Sequence, residues 1–548
     1  MTLVVWSSNE KFRLVEDVAR KYNANAPAVD RRCVRVSVVQ MPSGDGEQAL
    51  LREWPAADAA RPDVWWPAAR TWLQLLKEHR AELRLAEIVP PATNALIQSP
   101  LVIAMPEHMA DTLRQSGEVV GWRSLLKFVQ DPEGWGRYGK PWGRFRLGKT
   151  NPMISTSGLH ALIGTYYAAA STTEPLTRSD VRRLDVRAFV RGVESSVVHY
   201  GESVATFLSN LWTADDLGDA HGYVSAVAME EKQVYEYNRG NPTSASCEPV
   251  CPKLAPKEKL RALYPSEGTL VADHPYVVLN WTDAQHRQAA LDFQRHLETS
   301  EVQSRFLMEG FRDQNGLAGP VLDPRYFDRS PLRTRLLPPD PQLLAEIQAS
   351  WSTLRKRAHV LIAIDVGRSM TEPVPEQNGT KLELAKRAAS EALELLEPDD
   401  EVGLWVFSTN GDKPYREVLP ISPLGPGKSE LARRIEALEP EHGTRQLFAT
   451  VLAGVETVRA GLAPDRINAL VVLGDGIDEG RQVDFFDLQR RLRRQPNDER
   501  VRVFAISYSA ASSAALRQLA EASPGSFYDA ADPAKTIAKL MRDVISNF

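Results

Sequence analysis

The sequence predicts an α/β protein: a large N-terminal unit divided into two lobes, with one doubly wound domain behind it. Three observations carry that expectation. Short apolar runs of strand length alternate with amphipathic helical stripes along the whole chain. The length, 548 residues, is roughly three to four times that of an ordinary domain. A proline-rich seam, Ser330–Arg357, holds Pro331, Pro338, Pro339 and Pro341 and ends in Arg355-Lys356-Arg357; it reads as a linker around a short helical stretch. The chain ahead of the seam is too long for a single core, and the chain behind it suits one doubly wound domain.

Composition removes several function classes. Lys+Arg 66 against Asp+Glu 71 leaves a net charge of −5, so no basic excess exists to neutralise phosphates and nucleic acid is not an expected partner. Hydrophobic residues at 43% and charged residues at 25% describe a globular chain with ample core and exclude polyanionic disorder. No window approaches the roughly 18 consecutive apolar residues of a membrane span. Met1-Thr2 runs straight into Leu3-Val4-Val5-Trp6, a first strand rather than a basic segment leading an apolar one. The chain is therefore expected to be either cytoplasmic or a soluble piece from behind an export signal.

The elements come in order. Strand Leu3–Trp6 leads to a helix with Phe12, Val15, Ala19 and Tyr22 on one face, and a second strand is expected at Val34–Val39, with Cys33 beside it as a small core residue. Pro62–Trp66 and Pro100–Ala104 look like further strands. Cys247 and Cys251 sit in a proline-bounded loop where a short disulfide could close, two free thiols being the alternative. Beyond the seam, Val360–Ile364 and Ala469–Leu473 are wholly apolar, as buried parallel strands are.

Those two strands end in chemistry. The first runs into Asp365-Val366-Gly367-Arg368-Ser369, the second into Gly474-Asp475-Gly476, and Gly443-Thr444-Arg445 precedes a helix carrying Leu447, Val451, Val455 and Val458. Ligands of open α/β sheets bind at the carboxyl ends of strands. Asp365, Ser369, Thr444 and Asp475 form an all-oxygen set of the kind hard divalent cations prefer. The alternative is an inert scaffold whose aspartates only cap helices. Gly425-Pro426-Gly427-Lys428-Ser429 ends like a phosphate-binding loop, but Ser422 stands where the full pattern needs a glycine. The apolar stretch ahead of it contains Pro420, so it is at best an edge strand.

These residues resemble the metal-ion-dependent adhesion site of a von Willebrand factor A domain, a likeness covering about 357–548. The resemblance implies a doubly wound fold, Mg²⁺ (or Mn²⁺ or Ca²⁺) held by Asp365, Ser369, Thr444 and Asp475, and a protein partner docked through that metal. Gly367 departs from the family's serine, which helps to ligate the ion.

In the N-terminal unit, Ser7 and Glu10 have capping-box spacing. Lys149-Thr150-Asn151-Pro152-Met153-Ile154-Ser155-Thr156-Ser157-Gly158 leads into a helix, where hydroxyls and backbone N–H groups make a site for an anionic or strongly polar ligand; an N-cap cluster is the alternative. No catalytic set stands out: there is no Gly-x-Ser-x-Gly elbow and no His-Glu-x-x-His helix, and His160 and His199 lack partners at ligand spacing. His160 reads as a helix-surface or lobe-interface residue. With Leu3–Lys11, Pro62–Pro67, Ser99–Met105, Thr150–Gly158, Tyr264–Thr269 and Gly310–Arg312, the unit resembles the periplasmic-binding-protein type II fold of bacterial extracellular solute-binding proteins. The segment around Ser155 is most like the oxyanion-binding branch.

That resemblance implies lobe I at about 1–105 and 273–330, lobe II at about 106–272, a linker at 331–356, and a small polar or anionic solute in the cleft between lobes. Ser8, Ser155, Thr156 and Ser157 are the expected contacts, with Trp66 either an aromatic wall or core. Glu194 and Asp273 would count against a simple anion receptor. The pair of domains implies a non-enzymatic, extracytoplasmic binding protein tethered to the membrane by a segment outside this chain. The alternative is the substrate-binding component of an ABC-type transport system whose C-terminal domain is only a structural module.

Overall fold

In a computed structural model the chain is described throughout except at residues 55–59, 246, 248–249, 376–377, 497–498, 510–511 and 533–536. It divides into two compact units, one made of 1–197 and 203–354, the other of 198–202 and 355–548.

The first unit holds two sheets. In one, Thr2–Ser7 pairs in parallel with Arg35–Gln40 and with Val64–Trp66, and Pro275–Val278 returns antiparallel beside Val64–Trp66. Leu3 and Val5 point inward at 0% exposure, the strand alternation expected from the sequence. They pack with Val15, Val18 and Tyr22 of helix Asn9–Ala24 and with Phe293 and Phe306 from the chain's return. The second sheet is built on Ile97–Pro106, ten residues all buried, flanked antiparallel by Ala226–Glu230 and Leu260–Leu263, with Leu147–Thr150 parallel on the far side of Ala226–Glu230. Ile97–Pro106 also pairs with Val271–Ala272 and Arg312–Asp313, and after Val271–Ala272 the chain returns to the first sheet with Pro275–Val278. Cys33 is exposed, not core: it lies in the short hairpin Ala28–Val29/Arg32–Cys33, and the sheet strand begins only at Arg35.

The seam is not a loose linker. Pro341–Leu354 is a helix, with proline at its first position where no N–H is needed, and Leu343, Leu344, Ile347, Trp351 and Leu354 buried. It packs on helices Arg70–Glu82, Thr156–Ala170 and Leu184–Ser195 of the first unit. Gln348 donates to Pro152 O (3.0 Å), Trp351 Nε1 to Glu194 (3.2 Å), and Arg182 pairs with Glu346 (2.8 Å). The apolar stripe outweighs the prolines, which cluster ahead of it.

The second unit is one six-stranded sheet in the order Tyr415–Pro423, Glu401–Phe407, Arg357–Asp365, Arg466–Gly474, Arg502–Ser507, Phe527–Asp529. All pairings are parallel except that of the first two strands. The strand carrying Pro420 is thus an edge strand, and Gly425–Ser429 lies within helix Leu424–Glu436. The chain builds outward on one side of Arg357–Asp365, then crosses to Arg466–Gly474. The strand order therefore reverses between these two, which places a crevice at their carboxyl ends.

Candidate metal centre and interlobe cluster

Asp365 is the last residue of its strand and is 1% exposed; Asp475, just beyond the neighbouring strand, is 0% exposed. Gly474 permits the approach, since a Cβ there would stand 3.2 Å from Asp365 Cβ. Each carboxylate is fixed by its own loop: Asp365 Oδ1 accepts from Gly367 N–H (2.8 Å) and Asp475 Oδ1 from Ile477 N–H (3.1 Å). Asp475 Oδ2 is buried without a hydrogen-bond partner. Ser369 sits in the 3-10 turn Arg368–Thr371. Thr444 is exposed ahead of helix Leu447–Ala460, and it is the next side chain, Arg445, that reaches inward. Arg445 Nη1 donates to Ser369 Oγ (3.3 Å) and lies 3.8 Å from Asp475 Oδ2, while Nη2 pairs with Glu479.

The loop carrying Thr444 is pressed onto the rim: Gly443 N–H donates to Ser408 O (3.1 Å), and a Cβ at 443 would collide with Thr409 O at 2.0 Å. Ser408, 0% exposed, comes directly after strand Glu401–Phe407 in the left-handed region at φ 67. A Cβ at Gly367 would stand 3.2 Å from Ser408 Oγ, so the Ser408 hydroxyl lies beside the space a serine at 367 would fill. Burial pushes the Asp365 carboxyl up to about 7, against the lowering effect of the Gly367 N–H and Ser408 hydroxyl; the Asp475 carboxylate adds to the rise. Two buried carboxylates, hydroxyls and an unpartnered carboxylate oxygen fit a hard divalent cation. Sequence reasoning does not single out Ser408 or Arg445, although Arg445 is the direct neighbour of Thr444 and Ser408 ends an apolar strand.

The residues expected to touch solute are mostly consumed by the fold. Trp66 is core, at 0% exposure, edge-on to Tyr276 and Phe306, with Nε1 donating to His274 O (2.8 Å). Ser155 Oγ accepts from Thr150 Oγ1 (2.9 Å) and Thr156 Oγ1 from Trp72 Nε1 (2.8 Å). Ser157 and His160 are buried. Glu194 pairs with Lys149 and Asp273 with Arg70, so neither carboxylate is free.

Ser8 belongs to a different group. Its hydroxyl is hydrogen-bonded to Glu10 and to Lys11 Nζ, and Lys11 also donates to Trp66 O (2.8 Å) and lies 3.3 Å from His274 Nδ1. Across from them, on the other sheet's elements, Lys232 N–H donates to Ser99 Oγ (3.2 Å), and Lys232 Nζ pairs with Glu236 (2.5 Å) and the carbonyl of Glu10. His274 Nε2 stands 3.6 Å from Glu230 Oε2, and neither atom has a hydrogen-bond partner. Burial pulls the Lys11 ammonium down to about 8, with Glu10 and Glu230 opposing, and pushes the Glu230 carboxyl well up. A cavity of about 120 Å³ adjoins this cluster, lined by Glu10, Lys232, Glu236, Arg239 and Cys247 among others. Cys247 and Cys251 are joined by a disulfide; Ser246, Glu248 and Pro249 of that loop lie outside the described residues. A wider cavity, about 660 Å³, is lined by residues from 110–120, 261–269 and 328–334, including Arg114, Arg261 and Tyr264. Among the described residues no helix is long and apolar enough to cross a membrane.

Two family models match the chain, one in each part. The family of bacterial extracellular solute-binding proteins matches residues 3–312, and the von Willebrand factor type A domain matches 359–543. The Mycobacterium tuberculosis protein Rv1836c (strain ATCC 25618 / H37Rv) is 23% identical over 491 residues; the match takes in 88% of this chain, which spans 66% of that relative's length. Among solved structures, the periplasmic binding protein AfuA from Actinobacillus pleuropneumoniae, with fructose-6-phosphate bound, is 18% identical, with a TM-score of 0.40, covering 65% of this chain and 99% of its own. An extracellular solute-binding protein structure from Bordetella parapertussis is 14% identical, with a TM-score of 0.41, covering 64% and 97%. A von Willebrand factor type A structure from Catenulispora acidiphila is 21% identical, with a TM-score of 0.28, covering 35% and 42%. The chain belongs to the bacterial extracellular solute-binding proteins and carries a von Willebrand factor type A domain behind its solute-binding unit.

Proposed function

We propose that this is an extracytoplasmic, non-enzymatic binding protein that captures a small polar solute between its lobes and docks a protein partner through a divalent cation on its von Willebrand factor A domain. The observation that carries the docking half is the meeting of Asp365, Ser369 and Asp475 at the point where the strand order reverses. Mg²⁺, or Mn²⁺ or Ca²⁺ in its place, would be held by Asp365, Ser369 and Asp475, with Thr444 joining them once its loop turns the exposed hydroxyl inward and Arg445 out, and when bound it would offer a coordination position to an acidic side chain of the partner. The chain's own residues do the rest. The Gly367 and Ile477 N–H groups orient the two carboxylates, and burial keeps water from solvating them in the ion's stead.

For the solute, the reading moves from the helix start at Thr156 to the buried cluster of Ser8, Glu10, Lys11 and His274 with Glu230 and Lys232. That cluster draws both charge signs from both lobes and leaves Glu230 Oε2 and His274 Nε2 unpartnered, which suits a compact polar solute that offers donors and acceptors at once. Hinge opening of the lobes would admit it. Calorimetry with Mn²⁺ on the full chain and on Asp365→Ala tests the docking half. Saturable binding lost in the variant supports it. No binding, or no loss in the variant, favours the ABC-type receptor with a structural C-terminal module. Native mass spectrometry for a retained small molecule, repeated on Lys232→Met, tests the solute half. A retained molecule unaffected by that change but released by Arg261→Ala would move the site to the wider cavity.

A further inference from the structure

Three side chains far apart in sequence, and outside both the metal centre and the interlobe cluster, meet in the first unit. His108 is the second residue of helix Glu107–Gln115, His221 lies in the short helix Ala220–Tyr223, and Glu258 stands just ahead of strand Leu260–Leu263. The potential ligand atoms of the three all lie within 4.8 Å of one another. His108 Nδ1 is 2.6 Å from Glu258 Oε2. His221 Nε2 is 3.7 Å from Glu258 Oε1, beyond hydrogen-bond reach, and is buried with no other hydrogen-bond partner.

The group is held in place from behind. Glu258 Oε1 accepts the His108 backbone N–H (2.8 Å), and the Asp215 carboxylate accepts the N–H groups of Lys257 and Glu258 (2.7 and 2.9 Å), fixing the loop that presents the carboxylate. The His221 ring stacks on Trp142, centroids 4.6 Å apart and planes 11° apart, which sets its direction. A histidine–carboxylate hydrogen bond accounts for His108. It does not account for a second imidazole nitrogen buried beside the same carboxylate without a hydrogen bond.

We propose that His108, His221 and Glu258 form a transition-metal site of zinc type, with a fourth position open to solvent on the side of the exposed His108. In a tetrahedral zinc site with bonds of about 2.0–2.2 Å, ligand atoms stand roughly 3.4 Å apart. The imidazole nitrogens stand 2.6 and 3.7 Å from the two oxygens of the same carboxylate, and one ligand atom from each of the three residues lies within 4.8 Å of the others, so the set needs to contract by little more than about 1 Å to reach that spacing. Two imidazole nitrogens favour a borderline ion over Mg²⁺, whereas the oxygen set at Asp365 favours Mg²⁺, so the chain sorts two metals between two units. A bound ion here ties together three segments drawn from residues 107–115, 220–223 and 258–263, an enforced cross-link within one lobe.

The test is calorimetry with ZnCl₂ on the full chain, free of any histidine tag and saturated with Mg²⁺. Wild type should take up one Zn²⁺ per chain. His108→Ala and His221→Ala should weaken it by more than the roughly 10–100-fold that loss of a merely supporting residue costs, while His286→Ala leaves it unchanged. His108 has a side chain 72% exposed, so its variant should keep the wild-type circular dichroism and metal-free melting temperature. No saturable uptake in wild type, or uptake equal to wild type in both the His108 and His221 variants, overturns the proposal.

Discussion

Arg445 Nη1 stands 3.8 Å from Asp475 Oδ2, the carboxylate oxygen that has no hydrogen bond, and the same nitrogen donates to Ser369. The guanidinium therefore lies where the two halves of the expected metal set meet, with its other end held by Glu479. A buried pair of carboxylates needs positive charge nearby, and here the chain supplies its own. Arg445 thus competes with an incoming cation for one oxygen atom and one hydroxyl. Arg445→Gln should raise Mn²⁺ affinity by about tenfold, equivalent to about 1.4 kcal/mol. Without metal it should also lower stability, since Asp365 and Asp475 then face each other uncompensated. Calorimetry and metal-free thermal melts read the two effects separately; unchanged affinity would show that the arginine does not compete.

Gly367 and Ser408 pack directly against each other. Backbone φ at Gly367 is −65, a value any residue adopts, so what keeps a side chain out is space: Ser408 Cβ and Asp365 Oδ1 would each lie 3.0 Å from the new Cβ. Gly367→Ser alone is expected to cost about 1 kcal/mol of strain. Gly367→Ser with Ser408→Gly should recover most of that, since it removes the Ser408 Cβ at a position whose φ of 67 suits glycine, and it keeps one hydroxyl at the rim. If Ser408 contributes an oxygen toward the ion, Ser408→Ala alone weakens Mn²⁺ binding and the double variant restores it. Equal affinity in all three would show that Ser408 only fills volume.

Much of the second unit is legible in the sequence because its site is local to strand ends. Asp365 and Asp475 each come at the end of an uninterrupted apolar run, and such a run fixes both the strand and the position of its end. Arg445 is adjacent to Thr444, but which of two neighbouring side chains turns inward depends on loop backbone that no periodicity encodes. The interlobe cluster is less legible still. Lys11, Glu230, Lys232 and His274 are ordinary charged residues in their own segments, usually solvated, and only the approach of two sheets buries them together. Trp66 misleads for the opposite reason: an aromatic at a strand end suits a ligand wall and a core equally, and Tyr276 and Phe306 decide for core. The proline-rich seam hides a helix because prolines mark breaks more visibly than Leu343, Ile347, Trp351 and Leu354 mark a stripe.

That helix leads to a stability test. Trp351 is 6% exposed and donates to Glu194, which also pairs with the buried Lys149. Trp351→Ala removes a large buried ring and one of the carboxylate's partners, so the first unit should lose about 3–5 kcal/mol. A chain in which 331–356 served only as a tether would lose less than about 0.5 kcal/mol. Denaturant unfolding followed by fluorescence distinguishes the two.

A second buried pair offers a sharper contrast. Arg312 and Glu231, both about 1% exposed, meet at 2.8 Å, and Arg312 also donates to the carbonyls of Gly316, Ser330 and Asp328. Arg312→Ala leaves the Glu231 carboxylate buried with the Tyr264 hydroxyl still donating to it and abandons three carbonyls, at an expected cost of about 3–5 kcal/mol. Arg312→Met with Glu231→Leu should be less destabilised than either single change, because a neutral, packed pair strands no charge. A double variant as unstable as the sum of the singles would mean that packing at this point depends on the charges themselves.

His160 carries the pH prediction. It is buried in helix Thr156–Ala170, its Nε2 3.3 Å from Thr71 Oγ1, and burial pulls its imidazole down from 6.5 to about 3. The folded protein therefore keeps it neutral where the unfolded chain protonates it. Its contribution is fully present above pH 6.5 and is lost as the pH falls toward 3, at up to about 1.4 kcal/mol per pH unit. The nearby His274 is also held neutral by burial and by Lys11 and Lys232, so the two act in the same direction. Between pH 7 and pH 5 wild type should lose about 2 kcal/mol more stability than His160→Gln. Parallel urea titrations of both proteins at the two pH values measure that difference, and identical slopes would mean that His160 takes up its proton without leaving the fold.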